Sequence, residues 1–389
     1  MRSRGPAPKC NFIYGGKELN ITNSYKYLGT IINNNGTFNL AREELKNKGL
    51  KAMFSMWRSI STGNTNITLA NKLFDAMVKP IIIYNSEVWG NEIPKTLQKY
   101  IQGQEITKYD DKYIKYINEC PYEKLHLKFC KMVLRVQKQT SNIGTRAEIG
   151  RFPIILDIYI AMIKYWIRLK DLPQERIVID ALKDNEIMQE KGLYSWTNMI
   201  KYILEMSGYS DVWSNGGKIA NVDKFIVDLR AKLNNKYEEL TKRLMFDDYK
   251  QNGKGSNKLR TYRKFKNDHK QEIYLTEIKN GYIRSAVAKM RLSNHHLMIE
   301  KGRHLGLNLE DRICNKCNLN KIEDEFHAVM TCPAYGNNRD ELFRQFNNHV
   351  TTWNDMSLEN KFIQIMNMNT LIIKTGIFIS KIVNFDAKT

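Results

Sequence analysis

Long apolar runs are missing from this chain, and that absence gives the first exclusion. The two most apolar stretches, Pro153 to Ile167 and Leu371 to Phe385, are interrupted by Asp157, Lys164, Lys374 and Lys381. A helix crossing a bilayer needs about 20 mostly apolar residues, so no membrane segment is expected. Met1 to Cys10 lacks an apolar core, so no secretory leader is expected either. Cysteine is scarce, with six in 389 residues. Small disulfide-stapled domains are far denser in cysteine, so these six read as thiols or metal ligands in a reducing, intracellular setting. Acidic residues are also in deficit: 41 Asp and Glu face 61 Lys and Arg, a net charge of +20. That imbalance favours a polyanionic partner. Hydrophobic residues at 42% exclude wholesale disorder, and the length suffices for two or three domains.

What is present begins as β. Asn11 to Tyr14 and Lys17 to Ile21 flank Gly15-Gly16, a two-residue hairpin signal. Tyr25 to Ile32 alternates as one further strand and ends at Asn33-Asn34-Asn35-Gly36. After Thr37 the period becomes helical. Leu45, Gly49, Ala52, Met56 and Ile60 share a face, and so do Leu69, Leu73 and Met77. Thr68 is the expected N-cap of that second helix and Pro80 its expected stop. Lys124, Lys128, Lys131, Arg135 and Lys138 recur at helical spacing as one basic stripe, with Leu127, Cys130 and Leu134 on the apolar side. Ile155, Ile158, Tyr159, Met162, Trp166 and Leu169 mark another amphipathic helix. Lys250 to Arg312 holds 15 Lys or Arg against 6 Asp or Glu, which concentrates the excess charge there.

Cys314, Cys317, His327 and Cys332 read C-x2-C-x9-H-x4-C. A Cys-x2-Cys turn offers two thiolates to one ion, and Cys332, just before Pro333, can leave a helix end to converge with His327. Four N/S ligands with no spare position describe a structural tetrahedral zinc site. The expected class is therefore mainly α, with a small N-terminal β-hairpin region, helical bundles and a small C-terminal zinc knuckle. The expected blocks are β at 1–37, helical at 38–107, a tyrosine-rich linker or insert at 108–122 and helical at 123–246. A basic linker at 247–272, a basic helical segment at 273–312, the knuckle at 313–336 and a helical tail at 337–389 follow.

In order along the chain, these patterns resemble the C-terminal region of LINE-type (non-LTR retrotransposon) reverse transcriptases. Tyr25 to Ile31, with Tyr27-Leu28-Gly29 at its centre, is similar to the family's primer-grip strand. Lys79 to Gly90 is similar to its thumb signature, and Leu125 to Lys131 and Glu148 to Pro153 to later blocks. Arg291-Leu292-Ser293 to Arg303 precedes the knuckle as in the family, and the knuckle itself, with Ile322 to His327 and Cys332 to Tyr335, is the most specific match. The resemblance implies a thumb-like helical region and RNA or DNA as partner, with work in the nucleus and no small-molecule substrate. The basic stripe, together with Arg260, Arg263, Lys264, Lys266 and Arg303, would follow phosphates, while Lys316, Phe326 and Tyr335 would meet unpaired bases. Polymerisation needs metal-holding carboxylates, two of them in an aromatic-x-Asp-Asp turn. Asp110-Asp111 has Lys108 at the aromatic position and Asp247-Asp248 has Met245, so no catalysis is expected of this chain on its own. The competing expectation is a host-retained zinc adaptor whose basic helices face a protein.

Overall fold

A computed structural model describes residues 12–60, 66–102, 109–246 and 258–384. Among these the protein is mainly helical, and its strands form two separate antiparallel hairpins near the N-terminus. No helix among the described residues is long and apolar enough to cross a membrane.

The first hairpin is as patterned. β1 (Ile13–Tyr14) pairs with β2 (Lys17–Glu18) across Gly15 and Gly16, both at positive φ. Positive φ at both central residues gives the turn whose twist matches the strands. The second hairpin corrects an expectation. The run from Tyr25 to Ile32 folds back on itself as β3 (Ser24–Tyr27) and β4 (Thr30–Asn33), with Tyr27 opposite Thr30. Leu28 and Gly29 alone make the turn, at φ 45° and 83°. Leucine resists that conformation. It is held where the Tyr84 hydroxyl donates to the Leu28 carbonyl at 2.8 Å.

The chain divides into two compact units, each assembled from non-consecutive segments rather than from the consecutive blocks expected. The first comprises Met1–Ser55, Asp75–Leu125 and Pro153–Asn234. Its centre is the Ile154–Lys170 helix, where Ile155, Ile158, Met162, Ile163 and Trp166 are buried. Pro153 stands at the N-cap and cannot cap with a side chain. The buried Glu123 carboxylate accepts from the Ile155 N–H instead, at 2.9 Å. Gly90 lets the short Ser86–Trp89 helix approach, since a Cβ there would lie 2.6 Å from Ile158 Cγ2. Residues 109–119, expected within a linker, form a helix whose Tyr113 and Ile117 are buried. Tyrosine there is packing material, with the Tyr113 and Tyr159 hydroxyls 3.3 Å apart.

The second unit comprises Met56–Phe74, His126–Phe152 and Asn235–Thr389. The Gly281–Arg291 helix packs against the Ile372–Val383 helix, and Gly376 makes that approach close: a Cβ there would sit 2.7 Å from Ile278 Cδ1. The expected tail is thus part of the core, with Phe378, Ile379 and Ile382 buried. The described part of the expected basic linker is packed as well. Leu259, Tyr262 and Phe265 recur every three residues and are all buried.

Helix ends differ in two places. Asn66, not Thr68, caps the Ile67–Leu73 helix, accepting from the Leu69 N–H at 3.0 Å. Pro80 does not stop the run. It lies near the start of a new turn, Lys79–Ile82, where its missing N–H leaves nothing unpaired.

Candidate metal centre

The four candidate ligands come together in the second unit. Ile313 and Ile322 form an antiparallel bridge, and the Cys314 N–H donates to Lys321 O at 2.8 Å. This strap turns Cys314 and Cys317 inward. His327 opens the π-helical turn His327–Thr331, and Cys332 leaves it in an extended conformation. The two lone ligands of the sequence therefore meet the Cys-x2-Cys turn. All four donor atoms lie within 4.8 Å of one another. Cys314 Sγ and Cys332 Sγ are 3.9 Å apart, and Cys317 Sγ and His327 Nε2 are 3.4 Å apart. Metal–sulfur bonds of about 2.3 Å and a metal–nitrogen bond of about 2.0–2.1 Å at tetrahedral angles require roughly 3.8 Å and 3.5 Å. The cluster fits one metal ion.

The surroundings suit such an ion. Cys314, Cys332 and His327 are buried. His327 Nδ1 lies 3.0 Å from Thr331 Oγ1, so the other ring nitrogen is presented to the cluster. Burial pushes the Cys314 thiol up to about 12 and raises that of Cys332, and burial lowers the His327 imidazole. Without a cation the thiols thus hold their protons. Metal binding must displace them.

An acidic network underlies the cluster, and the sequence reading did not single it out. The buried Glu325 carboxylate takes Arg260 Nη2 at 2.9 Å, the Thr261 and Ser293 hydroxyls, and His295 Nε2 at 2.9 Å. Burial works to raise the Glu325 carboxyl, but the Arg260 charge and the His295 hydrogen bond outweigh it and hold it well below the usual carboxylate range. Glu323 accepts from Lys316 Nζ and from the Met298 N–H, both at 2.7 Å. The available signal was three acids in a row, Glu323-Asp324-Glu325, inside a knuckle of an acid-poor chain.

The structure redistributes the predicted nucleic-acid contacts. The basic stripe is broken, because its helix ends at Leu134. Lys124 and Lys128 are exposed on that helix. Lys131 turns inward to Lys138 O and Asn142 Oδ1, both at 2.6 Å, and burial with the nearby Arg146 charge lowers its ammonium to about 8. Arg135 follows the helix at φ 54°, and both it and Lys138 are exposed. Arg260 and Lys266 are internal: Arg260 pairs with Glu300 and Glu325, and the buried Lys266 with Glu272 at 2.5 Å. Arg303 pairs with Glu300. Burial together with the Arg260 and Arg312 charges lowers its guanidinium to about 10. Arg263 lies over the Phe246 ring, and Lys264 is exposed and pairs with Glu359. The three knuckle residues expected to meet bases also face inward. Lys316 reaches Glu323, Phe326 packs edge-on against Phe362, and Tyr335 is buried. Tyr27 and Leu28 remain exposed on the hairpin, beside Gly29. The Asp110-Asp111 side chains and Asp247-Asp248 lie outside the described residues.

Comparison with protein-family models, with curated proteins and with solved structures gave no match.

Proposed function

We propose that this chain carries a structural zinc ion and binds RNA or DNA, as the C-terminal region of a LINE-type reverse transcriptase would. The carrying observation is the donor set: three sulfurs and one imidazole nitrogen within 4.8 Å of one another, three of the four residues buried and Cys317 half-buried, without a carboxylate ligand among the described residues. Thiolate and imidazole together favour zinc over calcium or magnesium, which take oxygen. A closed set of four protein ligands leaves no position for water, so the ion holds the fold and does not activate a substrate. Its role here is to order 313–336, which has little regular secondary structure of its own. Zinc supplies roughly 10–16 kcal/mol in comparable sites.

One further observation supports the nucleic-acid reading. The net charge of +20 suits a polyanion. The test is binding of the full chain to labelled single-stranded RNA and DNA across a salt titration. The expected result is affinity that falls linearly with salt on logarithmic axes. Affinity indifferent to salt, or none at low salt, contradicts the nucleic-acid part. Templated primer extension by the purified chain contradicts the non-catalytic part.

A further inference from the structure

We infer that a cleft in the second unit, walled by Arg135, Lys289, His296 and Lys301, is the seat of a nucleic-acid phosphate backbone. The inference rests on the nucleic-acid reading above and narrows it to one place. The cleft has a volume of about 570 Å³ and is also lined by Gln137 and Asn294.

Charge matching sets this place apart. Elsewhere in the second unit several inward-facing cations have carboxylate partners, Arg260 with Glu325, Lys266 with Glu272, Arg291 with Glu148 and Lys316 with Glu323, while Lys131, Arg284 and Arg312 are met by carbonyl or amide oxygens. Among the described residues, no carboxylate lines the cleft, and Arg135, Lys289 and Lys301 have no ion-pair partner there. Three cations gathered around one concavity without an anion repel one another, and that cost is recovered when an anion enters.

The local backbone explains how they stand together. The Pro121–Leu134 helix ends and Arg135 takes φ 54°, while the Gly281–Arg291 helix ends at a turn with Ser293 at φ 50°. The two ends are tied where the Gln137 N–H donates to Asn294 Oδ1 at 2.9 Å. Helix C-termini carry about half a negative charge each, which helps keep Arg135 and Lys289 in place. Two half-charges do not neutralise three full ones, so the cleft stays positive. The Asn294 amide nitrogen has no hydrogen-bond acceptor among the described residues, which leaves a neutral donor for a phosphate oxygen. An open cleft of this size, with several cations rather than one bidentate pocket, suits consecutive phosphodiesters.

The test compares the full chain with the R135Q/K289Q/K301Q variant, using a fluorescein-labelled single-stranded oligonucleotide and fluorescence anisotropy. K301Q alone, at an exposed position, guards against a fold effect, and zinc content and circular dichroism check both variants. The triple variant should weaken binding by tenfold or more at low salt. Its logarithmic salt slope should be shallower by about 2, since each single-strand phosphate contact contributes about 0.7. K301Q should lower the slope by about 0.7. Unchanged affinity and slope in a folded triple variant, with wild type binding normally, overturns the cleft and leaves the broader reading standing. A wild type that ignores the oligonucleotide but binds a poly-glutamate peptide overturns both.

Discussion

At the residue scale, several ionic side chains of the second unit are turned inward, and Arg291 is the clearest instance. Its side chain is fully buried, pairs with Glu148 and Glu272, and lies 4.6 Å from the Phe265 ring centroid. Such a pair is weak grounds for stability as a whole, but removing one partner strands the other. Arg291→Met strands the buried Glu148, while Glu272 keeps Lys266, and is expected to cost about 3–5 kcal/mol in chemical denaturation. His269 gives a pH test. It is buried against Phe152, with its ring nitrogen 3.0 Å from Arg151 O, and burial lowers its imidazole to about 4. The unfolded histidine takes a proton below about 6.5, whereas the folded one does not until about 4. The unfolded state therefore binds more protons in that window, and stability falls as pH drops through it, by up to roughly 3 kcal/mol. His269→Gln should flatten the dependence of the urea midpoint on pH between those limits. A variant that keeps the full slope means the acid sensitivity lies elsewhere.

At the element scale, what could be read in advance was what repeats locally. The Gly15-Gly16 hairpin and the Ile154–Lys170 helix carry their periods in the chain and fold accordingly. The Leu28-Gly29 turn does not, because leucine is a poor signal for positive φ and the Tyr84 hydroxyl that helps hold it lies 56 residues away. The basic stripe failed for a related reason. Helical spacing continues to Lys138 in sequence, but the backbone leaves the helix at Leu134, and spacing alone carries no stop signal there. Gly150, by contrast, ends the Asn142–Ile149 helix at φ 71°, as a C-terminal glycine should. A Cβ there would meet Gln271 N at 2.4 Å, whereas at Gly192, also at φ 70°, nothing lies within 4 Å. Gly150→Ala is expected to destabilise by well over 1 kcal/mol, about the cost of backbone strain alone, and Gly192→Ala by roughly that strain cost. Equal losses in thermal or urea melts contradict the close packing of Gly150 on residues 270–271.

At the scale of the whole molecule, the ligand quartet was legible because cysteine is rare here and its spacing is informative. The two units were not, since each gathers segments far apart in sequence. The excess positive charge was legible as a total but not as a location. Several of the cations that looked most promising are neutralised internally, as Arg260 and Lys266 show. Only the fold says which charges remain for a partner. The metal remains the feature on which the rest of the account stands. X-ray absorption at the zinc edge of protein purified without added metal tests it directly. The account predicts one zinc per chain with three sulfur neighbours at about 2.3 Å and one nitrogen at about 2.0–2.1 Å, a signal lost in Cys317→Ser with His327→Ala. A zinc-free chain whose residues 313–336 stay equally protected from proteolysis, or a spectrum with oxygen neighbours, would contradict it.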